Sequence, residues 1–405
     1  MNILYVEHYA GSDRYGMEFR PFYMAREWVK LGHDVTILAA DFSHLRRENP
    51  KIQKDFTEVY DSGVRFVFVR TCSYRKNGIK RVFNMLGFMN KLKKNAKWLA
   101  ETYRPDVVIN SSTYPMDVYP AKKIADLCSA RLFYEIHDIW PLSLMAMSKL
   151  TEKNPLIRYV QRAEDYCYKN CDGVVSILPD ASRHIKERGF PNVNFHYVPN
   201  GIVLDAEARE PLGPQHKQVL DRLHAEGKFV VLYAGGHARS NALDCLVMSG
   251  KTLPGDVAVV LVGKGTEKQR LERLADENEI SNVVFLDAVP KNQMQPLLEE
   301  ADCLYIGAKK SELYQYGVGM NKIFDYMLAA KPIINGVESP GNPIDLAECG
   351  ISVPAESASA IADAVTKLKG LPEQTLCEMG NKGREYVIAN HQYDTLAGKF
   401  LEVIQ

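Results

Sequence analysis

The sequence predicts an α/β protein built from two doubly wound parallel sheets. Three observations carry this expectation. The length of 405 residues exceeds one domain at roughly 150 residues each. Short runs rich in Val, Ile, Leu and Phe alternate with amphipathic segments from end to end, the pattern of parallel strands covered by helices on both faces. A polar stretch at 202–228, containing EAREPLGPQHKQ, interrupts that rhythm once and separates two series of strands.

The first series opens at the amino terminus, where NILYV precedes Glu7 and His8. That apolar run is too short for a signal peptide or a membrane span and reads as a buried strand over 3–7. Further strands are expected at 34–40, 64–70, 106–110, 131–136, 173–178 and 194–198. The second series comprises 229–234, 257–262, 283–287, 302–307 and 332–335. Helical segments at 356–369 and 373–390 follow, and the tail 391–405 is expected to pack back on the first lobe. The domains are thus 1–201, a connection over 202–228, and 229–390.

Composition narrows the function. Lys plus Arg and Asp plus Glu each number 50, so no global charge argues for nucleic acid. The hydrophobic fraction of 46% suits a soluble globular chain with a sizeable core. Eight cysteines lie scattered without a CxxC pair, which suits reduced thiols in a cytoplasmic protein. Cys167 and Cys171 would share a helix face but lack two further ligands nearby for a metal.

In open parallel sheets, ligands gather at the carboxyl ends of the strands, so the chemistry is sought in the loops that follow them. Three such loops in the second lobe share one character: YAGGHARSN at 233–241, LVGKGTEKQRL at 261–271 and YGVGMNKIFDYMLAAKP at 316–332. Each ends a strand with glycine and opens a helix, offering backbone amides to one anion. In the third, Gly317 and Gly319 permit close backbone approach. The amides of Met320, Asn321 and Lys322 would face a diphosphate, with Asp325 one turn deeper at the reach of a ribose.

Taken in order, GHDVTILAA at 32–40, VPNGI at 198–202, YAG at 233–235, LVGKGTEKQRLERLA at 261–275, VVFLDAVPKNQM at 283–294 and KIFDYMLAAKPII at 322–334 resemble the glycosyltransferase family 4 enzymes of the GT-B fold. The resemblance implies two Rossmann-like domains facing across a cleft, the second holding the donor. It implies retaining, metal-independent transfer from a nucleotide diphosphate sugar, with no cofactor beyond that donor substrate. Asp325 matches the second acid of the family's paired-glutamate motif, and Phe285 to Asn292, including Val289, matches the loop framing the base. Donor contacts are carried over to Gly235, Gly236, Gly263, Lys264, Gly319, Met320 and Asn321.

Three departures bear on mechanism. Gly317 stands where the family commonly has a glutamate. Gly236 and Asn241 stand where an arginine and a lysine usually grip the diphosphate, leaving Arg239 and Lys322 as the available cations. GVGMNK at 317–322 is similar to the turn of the bacterial N-acetyl-L-fucosamine transferases of O-antigen and capsule synthesis, which points to a UDP-sugar and a lipid-linked glycan acceptor.

In the first lobe, EIHDIWP at 135–141 follows a strand. His137 matches a family position near the transferred sugar, and Asp138 is placed to orient it or meet the acceptor. Gly16 is the expected close approach to the donor phosphates. Glu18 and Arg20 read either as site groups or as a helix start with its surface partner. Residues 75–104 hold nine basic side chains against one acid, interleaved with apolar residues. This reads as a basic amphipathic segment lying on the inner face of the cell membrane, with a lysine-covered helix packed on the sheet as the alternative. Two rival functions remain open: a UDP-sugar 2-epimerase of similar architecture, and a non-catalytic nucleotide-sugar-binding subunit.

Overall fold

The structure is a computed structural model that describes residues 1–74, 78–148, 150–204 and 209–405. The chain divides into two units, Met1–Asn200 with Tyr393–Gln405, and Gly201–Gln392.

The first unit contains β1 (Asn2–Val6), β2 (Asp34–Ala40), β3 (Thr57–Asp61), β4 (Val64–Val69), β5 (Val107–Asn110), β6 (Arg131–Ile136), β7 (Gly173–Ser176) and β8 (Phe195–Tyr197), in the spatial order β3-β4-β2-β1-β5-β6-β7-β8. All neighbours are parallel except β3 and β4. The central register sets Ile3 beside Val35 on one side and Val107 on the other. Strand β3 was not among the expected elements. Its sequence TEVYD alternates half-buried and exposed positions, as a solvated edge does, so it lacks the apolar run of an interior strand. The two-residue turn Ser62-Gly63, both with positive φ, joins it to β4 and is the hairpin signal that would have found it.

The second unit contains β9 (Phe229–Ala234), β10 (Val257–Val262), β11 (Val283–Leu286), β12 (Cys303–Gly307), β13 (Ile333–Gly336) and β14 (Gly350–Ser352), ordered β11-β10-β9-β12-β13-β14 and parallel throughout. Strand β10, VAVVLV, is buried at every position. Ala258, Val260 and Val262 enter one core cluster while Val257, Val259 and Leu261 enter another, so the strand is covered on both faces. Strand β9 divides likewise, Leu232 to one side and Tyr233 to the other.

The stretch 202–228 is more than a connection. It carries a helix over Pro214–Ala225, opened by proline, whose buried Leu220 and Leu223 join the second unit's core. Residues 205–208 lie outside the described residues. Only two positions of that helix are buried, which is why the segment reads as polar. At the carboxyl end, the helix Tyr393–Ile404 packs into the first unit. The fully buried Trp28 donates its indole N–H to the Ala397 carbonyl at 3.0 Å and meets Phe400 edge to face at 5.3 Å.

The basic segment forms helices over Ile79–Lys94 and Ala96–Tyr103, with 75–77 outside the described residues. Met85, Phe88, Met89 and Leu92 turn inward, whereas Ile79, Val82, Phe83 and Leu86 form an exposed stripe, Ile79 at 72% and Phe83 at 58%. Among the described residues no helix is long and apolar enough to cross a membrane.

Chain order reverses between β1 and β5 in the first sheet and between β9 and β12 in the second. Loops diverge at such switch points and leave a crevice at the carboxyl ends of the strands. The candidate residues lie there.

Candidate functional site

In the second unit, the loops after β9 and β10 interlock. Gly235 and Gly263 have φ of 153° and 156°, and a Cβ on Gly263 would stand 1.9 Å from the Gly235 carbonyl oxygen. Only glycine fits that contact. A Cβ on Gly235 would meet Lys322 Cε and Nζ at 2.8 Å, so the lysine lies directly against this loop. Lys322 comes from the helix Asn321–Leu328, which follows β12 through the turn at Gly317, φ 111°. Its N-cap residue, Met320, offers the first-turn amides no side-chain cap.

Lys322 Nζ donates to the Tyr233 hydroxyl at 2.8 Å and lies 4.4 Å from the centre of the same ring. The hydroxyl in turn donates to the Gly236 carbonyl at 2.8 Å, and Asn241 Nδ2 donates to that carbonyl at 2.7 Å. Burial without a carboxylate partner pulls the ammonium down to about 8. A nearly unneutralised cation beside glycine backbone and uncapped amides is a site made for an anion. Asp325, one turn deeper, keeps solvent access, yet the protein atoms crowded around it raise its carboxyl to about 6, with Lys291 pulling the other way.

The other expected donor contacts divide. Gly236 has open space on its Cβ side, Lys264 is exposed, and Val289 packs partly buried against the core. The loop after β11 is held by Lys268, which donates to the Leu286 carbonyl at 3.1 Å and the Asp287 carboxylate at 2.8 Å. Gly319, Met320 and Asn321 lie at the turn into the Lys322 helix. Arg239 lines a cavity of about 400 Å³ with Asp244, Glu267, Arg270, Lys309 and Glu356.

Sequence reasoning missed His237. Its ring is fully buried between Tyr233 and Phe285 with both nitrogens unpartnered among the described residues, and Nε2 is 3.3 Å from where a Gly263 Cβ would be. Burial, with Lys268 and Lys322 nearby, lowers it to about 4, so it is neutral at pH 7. Each unmade hydrogen bond costs on the order of 1–3 kcal/mol. His237→Leu is therefore expected to unfold at an equal or higher urea midpoint than the parent; a loss above about 1 kcal/mol would mean that the imidazole has a partner.

In the first unit, Gly16 has a φ of 99°, and a Cβ there would lie 2.7 Å from the Arg47 amide nitrogen. Its glycine is accounted for by closure of its own loop. Arg20 is neither exposed nor paired with Glu18. It is 3% exposed, ion-paired to Glu135 at 2.9 Å, and donates to the carbonyls of Val198 at 2.9 Å and Pro199 at 2.5 Å. Its position in the helix Arg20–Lys30 looked solvated by sequence because the partner is 115 residues away.

His137 follows β6 directly, and its Nε2 lies 2.9 Å from Ser111 Oγ and 3.3 Å from Glu135 Oε2. Glu18 and Asp138 complete the group. Glu18 is half-buried and Asp138 keeps solvent access, yet the protein atoms crowded around them raise both carboxyls, while His137 opposes the shift in each. The structure thus gathers His137 and Asp138 with Glu18, Ser111 and Glu135, at the ends of β5 and β6.

Comparison with known proteins gives these sites a context. Residues 15–206 match the family described as Glycosyltransferase Family 4, and residues 228–369 match Glycosyl transferases group 1. A curated relative is a GDP-mannose-dependent alpha-(1-6)-phosphatidylinositol monomannoside mannosyltransferase of Mycobacterium tuberculosis, 24% identical over 221 residues. That match takes in 53% of this chain and 57% of the relative, so it spans little more than half of that protein. Among solved structures, a sucrose-phosphate synthase from Thermosynechococcus elongatus superposes with TM-score 0.72 at 16% identity, covering 99% of this chain and 97% of the other. Anabaena HepE in complex with UDP gives 0.69 at 13%, covering 100% and 99%. WaaG, a glycosyltransferase of lipopolysaccharide biosynthesis, gives 0.65 at 16%, covering 100% and 99%. With a family 4 segment followed by a group 1 segment on this two-sheet fold, the chain belongs among the GT-B glycosyltransferases.

Proposed function

We propose that the chain is a retaining, metal-independent glycosyltransferase that moves a sugar of N-acetylated hexosamine type from a UDP-sugar to a polyprenyl-diphosphate-linked acceptor in bacterial surface polysaccharide synthesis. The observation that carries this reading is Lys322, half-buried against Gly235 at the switch point with no carboxylate among the described residues to neutralise it. A diphosphate supplies the missing charge. The acceptor oxygen bonds to the anomeric carbon as the carbon–phosphate-oxygen bond breaks. UDP leaves with the electron pair, and the acceptor proton passes to a phosphate oxygen. Lys322 and the amides at 319–322 neutralise the departing charge, which is where fixed dipoles act most strongly. Asp325 takes ribose hydroxyls, and His137 and Asp138 meet sugar and acceptor hydroxyls.

The exposed stripe of Ile79, Val82, Phe83 and Leu86, with Lys80, Lys91, Lys93 and Lys94 on the same helix, supports attachment to an anionic membrane surface on its cytoplasmic side. The GDP-mannose relative favours a second reading, with GDP as the donor nucleotide.

A thermal-shift screen separates the two, because a ligand that binds only the folded state raises apparent stability by mass action. UDP and UDP-N-acetylhexosamines are expected to raise Tm while GDP and ADP do not. A shift with GDP alone would replace the UDP assignment. The same protein should sediment with vesicles rich in anionic lipid and lose this with Phe83→Glu; unchanged sedimentation would remove the membrane assignment.

A further inference from the structure

Four groups converge on the buried carboxylate of Glu135. Arg20 pairs with Oε1 at 2.9 Å, the Tyr5 hydroxyl donates to Oε2, the Ser111 hydroxyl donates to Oε2 at 2.5 Å, and His137 Nε2 stands 3.3 Å from it. The Arg20 guanidinium holds this carboxyl well below the usual range despite its burial, so it accepts and never donates. Counting protons then settles the direction of each bond. Ser111 has a single hydroxyl proton, and it is directed at Glu135. Toward His137 Nε2, at 2.9 Å, Ser111 offers only a lone pair. Nε2 must therefore carry the hydrogen, and in a neutral ring Nδ1 carries none. The hydrogen bonds of His137 among the described residues are made through Nε2.

We propose that Glu135 and Ser111 are positioning residues that fix His137 as the Nε2–H tautomer, leaving Nδ1 as an acceptor, so that the ligand group His137 meets is a hydroxyl. The ligand half of this inference rests on the proposed transfer to and from sugars; the tautomer does not. A ring fixed in this sense accepts from a sugar or acceptor hydroxyl and offers no hydrogen to a phosphate oxygen through Nδ1. A site that accepts a hydroxyl hydrogen rejects the analogue lacking it, because the acceptor is then left unpaired. Glu135 thus acts on substrate choice from behind His137, touching no substrate itself.

The test uses the full-length, ligand-free protein labelled with nitrogen-15 and long-range proton–nitrogen correlation of the His137 ring. The expected spectrum shows Nε2 protonated and Nδ1 bare. An Nδ1–H tautomer, or a doubly protonated ring at pH 7.5, overturns the proposal. Glu135→Gln places an amide donor beside the ring and is expected to push the proton toward Nδ1; an unchanged Nε2–H signal in the folded variant overturns the role of Glu135. Should that variant not fold, Ser111→Ala keeps the Arg20–Glu135 pair and leaves Glu135 Oε2, 3.3 Å from Nε2, as the acceptor facing the ring, so His137 should stay Nε2–H while losing the second contact that orients it. The variant's kcat should fall about tenfold, the worth of one hydrogen bond, with UDP affinity unchanged. Full kcat in the folded Ser111→Ala overturns the positioning role of Ser111, and an Nδ1–H ring there overturns that of Glu135. If no donor supports transfer at all, the proposed function fails while the ring spectrum still decides the tautomer.

Discussion

Lys322→Ala is expected to lower turnover by about 10²–10³-fold, the usual effect of deleting one fixed group that stabilises developing charge. Folding should be spared. Among the described residues the only side chain Lys322 touches through a hydrogen bond is Tyr233, and the ammonium is held at a cost in the free protein, as its fall to about 8 records. The sign of the pH dependence follows. Below about 8 the lysine is charged in both folded and unfolded chains, and the folded state bears the full penalty of burying it. Between about 8 and the unfolded value near 10.4, only the unfolded chain holds the proton, so stability rises with pH across this window. The Ala variant should lack that rise. Diphosphate binding runs the opposite way: above about 8 the site must take up a proton to bind, so UDP affinity should weaken by up to tenfold per pH unit. Titration calorimetry from pH 7 to 9.5 measures this. A variant with parental kcat and an unaltered melting temperature would remove Lys322 from the mechanism.

Arg20→Ala is expected to cost about 3–5 kcal/mol, because it strands the Glu135 carboxylate in a buried site and frees two carbonyls at 198–199. Glu135 is depressed by Arg20, so its contribution is present above the unfolded value near 4.3 and is lost as pH falls toward the folded one. Once Arg20 is gone, the carboxyl titrates upward and is protonated sooner. The gap between parent and variant in urea unfolding should therefore narrow between pH 7 and pH 4. A gap under about 1 kcal/mol at pH 7 would show the pair to be dispensable. A variant carrying both Arg20→Met and Glu135→Gln should recover part of the loss, since no unpaired charge remains.

The contrast between these residues shows what was legible beforehand. Lys322 could be read because it sits in a local pattern: glycine turn, helix start, cation, and acid one turn on. His137 was legible for the same reason, as the residue after a buried strand. Arg20 was not, because its partners at 135 and 198–199 are joined to it only by β1, β6 and the strand exit after β8. His237 was visible in YAGGHARSN but passed over among glycines; its isolation appears only when Tyr233, Phe285 and Gly263 surround it. For Arg239, sequence shows only its nearness to Gly235, whereas the structure sets it in the turn at 239–241, lining a charged cavity with Asp244, Glu267 and Arg270.

The sequence by itself determined two doubly wound sheets, since apolar runs such as VAVVLV can be buried on both faces only between layers of helix. It also determined which strand-end loops bear glycine and charge, because those signals are local. Tertiary structure alone decided which of those loops meet. The order β10-β9-β12 brings Lys322 to Tyr233 across 89 residues, and β5 beside β6 brings Ser111 to Glu135 and His137. It also decided that the edge β3 and the helix 214–225 exist, because their few buried positions depend on neighbours distant in the chain. Backbone pattern is written in near neighbours, whereas the partner of a buried charge or an imidazole proton is fixed only when distant strands pair.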